Sequence, residues 1–479
     1  MSESHGHEAA EGRPEAEDKK IHNDTDTSSL DTKMKLALQY LGGLGVEADH
    51  AKAFKDLHEC VEAGYVPAYA HLGCCFELGF GVEPNVATAV EWYQKGVAAG
   101  DGEAQLHLAM CYLDGLGVEK DPQKGIELLL ASANQGNSQA QALLGDQYFS
   151  GTTVEKDDAK AFEFASKSAS QGDIHGYAIL GELYFFGAGV EQDYKKAVEH
   201  FTVAANGGNK DAMKCLADCY CNGHGVDVDY SKAVEWYTKS AQRGNIVAQT
   251  TLAHLYEIGV GVTQDMKRAI ELYTRSAHRG DPVAQNKLGV FYYEGRHIER
   301  DYKKAYEWSL KSAKQGDASA QFNLGDCYFH GRGVQQDYTK AVAWYKRSVA
   351  QGNEVAMNAL GNCYYLGRGV PKNLKKAAEL FTKSAAKGNA EAQNNLAALY
   401  YRGLGVKQNL TKAAELYRKS AEQGFHMAQF ALGCCYYFGD GVEPDNDRAY
   451  HYLQLSAAKG NSGAQQFLAQ HFADYVPKN

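Results

Sequence analysis

Cysteine and histidine side chains occur at spacings that could bring them together on one face of a helix. His71 precedes Cys75 by four residues, and Cys215 precedes Cys219 by four. Residues four apart lie one above the other on a helix, and thiolate and imidazole groups are common zinc ligands. Neither pair has the C-x-x-C spacing of a structural zinc site, and Cys75 and Cys219 stand where cysteine recurs along the chain. The sequence therefore favours a packing role, and we expect no metal and no cofactor.

The eleven cysteines do not form a disulfide framework. Six of the eleven share one position relative to a recurring turn, and they are Cys75, Cys111, Cys219, Cys327, Cys363 and Cys435. The facing segments supply only Cys60, so these six have no systematic partner. We therefore expect free thiols that act as small apolar side chains in a reducing compartment, and a cytoplasmic location.

Catalytic motifs are absent from the sequence. A G-x-G element recurs, but it lacks the downstream Gly of a dinucleotide site and the G-K-[ST] of a phosphate-binding loop. The nucleophile elbow and the H-E-x-x-H motif are also missing. No hydroxyl, histidine and acidic residues depart from the repeat consensus in a way that would form a catalytic triad. We expect a protein that is not an enzyme.

The elements that position all these residues belong to a 36-residue repeat. An aliphatic residue marks the same turn in every copy, at Val46, Val82, Val118, Val154, Val190, Val226, Val262, Ile298, Val334, Val370, Val406 and Val442. No insertion or deletion interrupts the spacing. A fixed period of this length is typical of a solenoid, in which each unit packs on its neighbours.

Capping residues divide each repeat into two helices. Three residues after the turn, all twelve copies carry Asp or Asn, and eighteen residues after it all carry Gly. The first is a helix N-cap, and the second permits a left-handed helix end. A further Asp or Asn follows that Gly in ten copies, which predicts the cap of the next helix. Each repeat is thus expected to be a pair of helices of about 14 residues, a typical length.

Apolar positions recur with helical spacing inside each predicted pair. Leu stands at one position in all twelve copies, Ala precedes it by four residues in eleven, and Tyr or Phe follows it by four in all twelve. These residues share one face, which we expect to be buried. The four tryptophans also share one position, at Trp92, Trp236, Trp308 and Trp344. We interpret them as core residues and not as a cofactor site.

The repeat A-x-x-x-L-G-x-x-Y-x-x-G-x-G-V-x-x-D-x-x-K-A-x-x-W/Y-Y resembles the Sel1-like repeat, a relative of the tetratricopeptide repeat. The resemblance covers roughly residues 31–473. It implies an all-α, right-handed α-solenoid of about twelve helix-turn-helix repeats, closed by a C-terminal capping helix. It also implies a scaffold function, because members of that family serve as scaffolds in many pathways.

The two ends of the chain differ from the repeats. Residues 1–30 are acidic and lack an apolar run, so we expect disorder, with no signal peptide. Residues 31–45 predict a truncated first helix, whose Leu36 and Leu41 could support self-association. The segment 462–473 predicts a closing helix with Ala464, Leu468 and Phe472 inward, and residues 474–479 form a tail.

Two turns depart from G-x-G-V, because Thr153 and His297 replace the second Gly. The replacements are either neutral changes in a tolerant loop or marks of a local bend.

The first helices of each pair usually line the concave side of such a solenoid, so their groove-facing positions are candidate partner-binding residues. These are Asp146, Glu182, Asp218, Asn286, Phe322, Asn323, Asp326, Asn358, Asn362, Asn394, Asn395 and Phe430. Asn can pair with a peptide backbone, aromatic side chains can anchor it, and acids can select basic side chains. Alternatively, the Asn residues belong to the repeat consensus and bond only to neighbouring helices.

The preferred hypothesis is a non-enzymatic scaffold or adaptor that binds a protein or peptide, with a preference for basic ones. The net charge of −10 disfavours nucleic acid, and no apolar run is long enough to insert into a membrane. Two alternatives follow from the resemblance. One is a regulatory subunit that activates a membrane-associated enzyme, as in some fungal relatives, and the other is a hydrolase, as proposed for some Cys-rich bacterial relatives.

Overall fold

The computed structural model describes residues 15–473 and 475, with side chains from residue 27 onward. The chain divides into two compact units, Met1–Arg243 and Gly244–Asn479. The described residues form 25 helices and no strand. Within each unit, consecutive helices pack as antiparallel neighbours in tandem pairs. The predicted all-α fold of tandem helical repeats is confirmed.

The helices of the first unit are α1 Glu15–Gly42, α2 His50–Glu62, α3 Ala68–Leu78, α4 Val86–Ala98, α5 Gly102–Asp114, α6 Pro122–Asn134, α7 Ser138–Ser150, α8 Asp158–Ser170, α9 Ile174–Phe186, α10 Tyr194–Asn206, α11 Lys210–Asn222 and α12 Tyr230–Gln242. Those of the second unit are α13 Ile246–Ile258, α14 Met266–His278, α15 Pro282–Glu294, α16 Tyr302–Lys314, α17 Ala318–His330, α18 Tyr338–Ala350, α19 Glu354–Leu366, α20 Leu374–Ala386, α21 Ala390–Arg402, α22 Leu410–Glu422, α23 His426–Phe438, α24 Asn446–Ala458 and α25 Ser462–His471. Odd-numbered helices are the first helices of the repeats, and even-numbered helices are the second.

Capping side chains start the helices where the sequence predicts them. Before each second helix, the Asp or Asn side chain accepts a hydrogen bond from a backbone N–H of the first turn, as Asp337 does from Lys340 at 2.9 Å. The ten caps predicted for first helices do the same. The two other copies place Pro67 and Phe425 there, without a side-chain bond. Both sets of predicted caps are confirmed.

The second Gly of the turn approaches the preceding repeat closely. Gly333 has φ +71°, and a Cβ atom there would lie 1.9 Å from the carbonyl oxygen of Tyr302. The two turns that lack this Gly differ from each other. His297 keeps a left-handed φ of 65°, whereas Thr153 does not. Both flanking helix pairs keep the ordinary lengths, so neither replacement changes the helix boundaries.

The predicted core positions are buried. The recurrent Leu is buried in eleven of the twelve copies, and Leu468 of the last copy is half-buried. The Ala four residues earlier is buried in every copy that has it, and the six recurrent cysteines are buried as well. Each buried Leu contributes about 1.5–3 kcal/mol to stability. The core is therefore a series of small clusters along the chain.

The four tryptophans, predicted to be core residues, lie at the edge of the core, and three of them pack directly against its buried clusters. Each is only half-buried, and a cation three residues later on the same second helix lies over its ring. Lys95 lies 3.8 Å from the Trp92 ring centroid, and Arg347 lies 4.3 Å from that of Trp344. The indole buries one face against neighbouring side chains, and its other face takes the cation. Tyr93 and Tyr345, the next residues along, are the buried ones.

The leading helix is not truncated, contrary to the prediction. α1 includes residues 30–42, the full length of a first helix, and its side chains contact the first repeat. Tyr65 donates a hydrogen bond to Asp31 at 3.1 Å, and Lys33 pairs with Glu59. Of the segment expected to be disordered, residues 15–30 lie in α1, and residues 1–14 lie outside the described residues. Leu36 is 37% exposed.

The closing helix α25 has the predicted polarity. Ala464 and Phe472 are buried, and Leu468 is half-buried. Gln465, Gln466, Gln470 and His471 are exposed. A polar outer side suits a helix that ends a stack. Of the predicted tail, residues 474 and 476–479 lie outside the described residues.

Candidate functional site

All twelve candidate residues lie on first helices. In the first unit, Asp146 is on α7, Glu182 on α9 and Asp218 on α11. In the second unit the others occupy α15, α17, α19, α21 and α23. We call the surface of the first helices that carries these residues the first-helix face of each unit. Asp146 is exposed, Asn358 is buried, and the other ten are half-buried.

The asparagines of the second unit bond to one another across neighbouring first helices. Asn323 Nδ2 donates to Asn286 Oδ1 at 2.8 Å. Asn395 Nδ2 donates to Asn358 Oδ1 at 3.0 Å and lies 3.4 Å from Asn362 Oδ1. These pairs tie α15 to α17 and α19 to α21. They show the inter-helix role that the sequence left as an alternative, and they also leave some polar atoms of the face unpaired.

Two of the acids accept hydrogen bonds from buried tyrosines of the following second helix. Tyr237 donates to Asp218, which also forms an ion pair with Lys214 at 2.6 Å. Tyr345 lies 3.4 Å from Asp326 Oδ1, and Tyr293 donates to Asp326 Oδ2 at 3.0 Å. In both cases the buried tyrosine follows the acid by 19 residues. These carboxylates are therefore integrated into the packing of the repeats.

Asp146 and Glu182 have no such partner. The residues 19 positions later are Ala165 and Phe201, which carry no hydroxyl. Within the described residues, neither carboxylate forms a hydrogen bond or an ion pair. Burial raises the pKa of Glu182 to about 7, and the negative charges of Asp146 and Asp211 add to this effect. Burial also raises the pKa of Asp146. Desolvation disfavours the charged form of a carboxyl, and the effect is larger at the half-buried Glu182 than at the exposed Asp146.

Among the residues that the structure describes, the candidate residues line cavities of the first-helix face in both units, and each of these cavities lies within one unit. The largest, of about 450 Å³, lies in the first unit and includes Asp146 and Glu182 in its lining. A cavity of about 170 Å³ in the second unit is lined by Phe322, Asn323 and Asp326, among others. A third, of about 110 Å³, includes Asn362 and Asn395 in its lining. Seven of the twelve candidate residues thus line cavities.

The cavity at Asp326 combines a carboxylate with aromatic surface. The ring of Phe322 stacks on Tyr345, with centroids 5.8 Å apart. His330 lies 3.4 Å from Asp326 Oδ1. Burial raises the pKa of Asp326, although the nearby imidazole and hydroxyl oppose that shift. This arrangement offers a small apolar surface beside a hydrogen-bonded acid.

Phe430 is tied into the end of the second unit. Its ring lies 6.4 Å from that of Phe467 on α25, and it packs on the C-terminal core. Asn394 has a single long contact, 3.4 Å to Asn395. Phe430 therefore has a structural role in packing the closing helix, and Asn394 is only weakly fixed.

The cysteine and histidine pairs do not form a reactive centre. Burial raises the pKa of Cys75, Cys215 and Cys219 to about 12, so these thiols stay protonated at neutral pH. Burial also lowers the pKa of His71. Among residues 15–473 and 475, no group of three or more His, Cys, Asp or Glu side chains could hold a metal ion. The recurrent thiols are packing groups.

A ladder of glutamines was missed by the sequence analysis. In the second unit, Gln285 Nε2 donates to the Ala277 carbonyl at 3.1 Å, and Gln315 Nε2 donates to Gln285 Oε1 at 2.8 Å. Gln321, Gln393 and Gln429 are buried in the same way. The signal was the recurrence of Gln directly after the buried Ala. This ladder connects helices and does not face a ligand.

Comparison with known proteins agrees with this architecture. The Sel1 repeat family matches the chain over residues 33–55, 66–101, 102–137, 138–173, 174–209, 211–245, 246–281, 282–317, 318–353, 355–389, 390–425 and 426–461. The chain therefore belongs to the Sel1 repeat family. A search of curated proteins found no match.

Two solved structures are similar to this chain. The crystal structure of c5321, a protective antigen present in uropathogenic Escherichia coli strains and displaying an SLR fold, is 34% identical, with a TM-score of 0.70. The match covers 86% of this chain and 89% of that one. A Sel1 repeat protein from Oxalobacter formigenes is 32% identical, with a TM-score of 0.48, over 64% of this chain and 89% of that one.

Family membership sets a coarse function. Sel1-repeat solenoids generally serve as scaffolds for protein interactions, and the family is generally non-enzymatic. In the part of the chain that the structure describes, no helix has both the length and the apolar character needed to span a membrane.

Proposed function

We propose that this protein is a non-enzymatic scaffold whose first-helix face binds an extended segment of a partner protein. The observation that carries the proposal is that five candidate residues of the second unit line two cavities of its first-helix face. A series of small cavities with mixed polar and apolar linings suits successive side chains of a peptide.

Unpaired polar atoms of the asparagine pairs could hold the peptide backbone. Asn323 uses its Nδ2 for Asn286, and its Oδ1 accepts no hydrogen bond from the described residues. Asn362 lies in a similar position beside Asn395. A carboxamide offers two donors and an acceptor, so one that bonds a neighbouring helix retains capacity for a backbone amide or carbonyl. The asparagines can therefore serve both packing and recognition.

Charge on the face favours a basic partner. Asp146, Glu182 and Asp326 line two of the cavities, and the chain as a whole has a net charge of −10. Complementary charge speeds association and selects partners more than it adds affinity. We therefore expect the bound segment to carry lysine or arginine.

Selection from a random peptide library tests the proposal. The full chain is immobilised, a phage-displayed library of extended peptides is enriched on it, and binding of the enriched peptides is measured by calorimetry. The variant Asn323→Ala, Asp326→Asn, Asn395→Ala should weaken binding at least about tenfold, since a lost hydrogen bond to a charged group alone is worth about 1.5–3 kcal/mol.

The matched control changes exposed residues of second helices in the same unit, Glu307→Ala, Lys346→Ala and Lys383→Ala. It should bind as the wild type does. Circular dichroism shows whether each variant keeps its helices. Equal binding by the first-helix variant, or loss of binding in the control, would contradict the proposal.

A further inference from the structure

The first-unit cavity that Asp146 and Glu182 line has apolar walls around the two acids. Leu106 and Met110 of α5, Leu143 of α7 and Ile179 of α9 supply aliphatic surface. The other lining residues are Gln139, Ala142, Asp146, His175, Ala178, Glu182, Asn209 and Asp211. No lysine or arginine contributes to the lining. The cavity volume of about 450 Å³ is enough for a long side chain.

Asp146 and Glu182 differ from their counterparts in other repeats because, among the residues that the structure describes, neither carboxylate accepts a hydrogen bond or forms an ion pair. Asp218 has Tyr237 and Lys214, and Asp326 has Tyr293 and Tyr345. The charge of Lys214 acts on Glu182 and lowers its pKa, but the Lys214 ammonium is paired with Asp218 at 2.6 Å. A desolvated carboxylate without a partner is costly, and an arriving cation would remove that cost.

A second cavity of about 540 Å³ adjoins the first. The two share Gln139, His175, Asn209 and Asp211 in their linings. The second is lined mainly by the loops that lead into α9 and α11. The ligand space therefore continues beyond the acids, as required for a side chain that belongs to a longer peptide.

We propose that the cavity lined by Leu106, Met110, Ile179, Asp146 and Glu182 binds one basic side chain, lysine or arginine, of a partner peptide. The aliphatic stem lies on the apolar walls, and the charged group lies between the two carboxylates. The proposal rests on the proposed function and adds the identity of one recognised residue. The occupant is argued from charge complementarity and from the match between an aliphatic stem and aliphatic walls.

Methyl NMR of the full chain tests the proposal directly. Methyl groups of Ile179 and Met110 serve as reporters, and the probes are the peptides acetyl-Ala-Lys-Ala-amide and acetyl-Ala-Arg-Ala-amide. The norleucine peptide, acetyl-Ala-Nle-Ala-amide, is the matched probe because it keeps the stem and lacks the charge. Saturable shifts with the lysine or arginine peptide, and affinity at least about tenfold lower for norleucine, are expected.

Variants separate the acids from the walls. Glu182→Gln with Asp146→Asn should reduce affinity for the basic peptides at least about tenfold, to the level of the norleucine peptide. Glu91→Gln, at an exposed position of α4, is the control and should change nothing. Equal affinity for all three peptides, no shift up to their solubility limit, or an unaffected acid variant would overturn the proposal.

The pH dependence adds a readout that simple packing would not give. Affinity for the lysine peptide should rise between pH 6 and pH 8, because deprotonation of Glu182 creates the charge that binds it. His175 on α9, Asp146 on α7, and Asp211 and Lys214 on α11 are the other titratable groups nearby. Glu182→Gln should flatten the profile, and His175→Asn should leave its rise in place. A rise that survives in Glu182→Gln would count against the assigned acid.

These outcomes are distinct from failure of the proposed function. The variant used in the library experiment changes only the second unit, whereas the reporters and variants of the methyl experiment lie in the first. If library peptides bind the second unit but the basic peptides do not bind this cavity, the assignment of a basic side chain to the cavity fails and the proposed function does not.

Discussion

The Nδ2 of Asn395 donates a hydrogen bond to the Oδ1 of Asn358, 3.0 Å away on the preceding first helix. Asn358 is only 3% exposed. Replacing it with Ala removes the acceptor and leaves a cavity, so Asn358→Ala should lower the free energy of unfolding by about 1–3 kcal/mol. Urea denaturation of the full chain, followed by circular dichroism, measures the change. Asn394→Ala, which removes one long contact, is the control and should cost less than about 0.5 kcal/mol. Equal losses would show that the buried pair is not special.

Substitution of two buried serines at the same repeat position should have different effects on the stability of the protein. Ser132 Oγ donates to the Gly102 carbonyl at 2.6 Å. Ser168 Oγ is equally buried but finds no hydrogen-bond partner in the described structure. Ser132→Ala should destabilise the protein by about 1 kcal/mol, whereas Ser168→Ala should be neutral or stabilising. Thermal unfolding of both variants distinguishes them, and a comparable loss in each would refute the explanation.

The turn at His297 should gain stability from the glycine that other repeats have. His297 is held at φ 65°, a conformation that costs a non-glycine residue about 1 kcal/mol or more. His297→Gly should therefore raise the unfolding temperature. Thr153 occupies the same position without a left-handed φ, so Thr153→Gly should give no gain and should slightly destabilise by adding chain entropy. A gain at Thr153 equal to that at His297 would contradict this account.

The carboxyl of Glu182 should make stability depend on pH. Burial raises its folded-state pKa to about 7, above the ordinary value of 4.5. The folded state therefore binds this proton more tightly than the unfolded chain. The resulting stabilisation is complete below the unfolded pKa and is lost as pH rises through 7. Glu182→Gln should remove this dependence, so its stability advantage over the wild type should grow from pH 5 to pH 8.

A tyrosine introduced beside Glu182 should lower the pKa of that carboxyl. Phe201 stands where Tyr237 and Tyr345 stand in other repeats, 19 residues after the acid. The variant Phe201→Tyr would place a hydroxyl donor next to the carboxylate and lower the pKa of Glu182. Carboxyl-selective ¹³C NMR measures that value. An unchanged titration would show that the tyrosine–acid pairs do not set these pKa values.

Local signals in the sequence were sufficient for the helix boundaries. Asp337 and Gly333 are typical, because a capping oxygen and a left-handed glycine act within a few residues of their own position. The buried Leu and Ala followed from periodicity. Their burial needed only the helical spacing and the repeat.

Other features depended on neighbours that the sequence pattern does not reveal. Lys95 lies over the exposed face of the Trp92 ring. The recurrence of an aromatic residue at this position therefore predicted a deeper burial of the tryptophan than the structure has. The partners of Asp218 come from a different helix, and only the 19-residue spacing to Tyr237 would have signalled them. The repeat pattern therefore sufficed to assign the candidate residues to first helices, while the division of their acids into bonded and unbonded ones required the structure.

Bonds within the stack connect residues that are close in sequence. Ser312 donates a hydrogen bond to the Pro282 carbonyl, which lies 30 residues earlier in the chain, and Lys387 donates to the Gly352 carbonyl, 35 residues earlier. Asn323 donates to Asn286, 37 residues earlier. Each new hairpin can therefore find its partners as soon as it leaves the ribosome. Low contact order favours rapid folding. For the same reason, genetic loss or duplication of a whole 36-residue segment would preserve the stacking and change only the number of helix pairs in it.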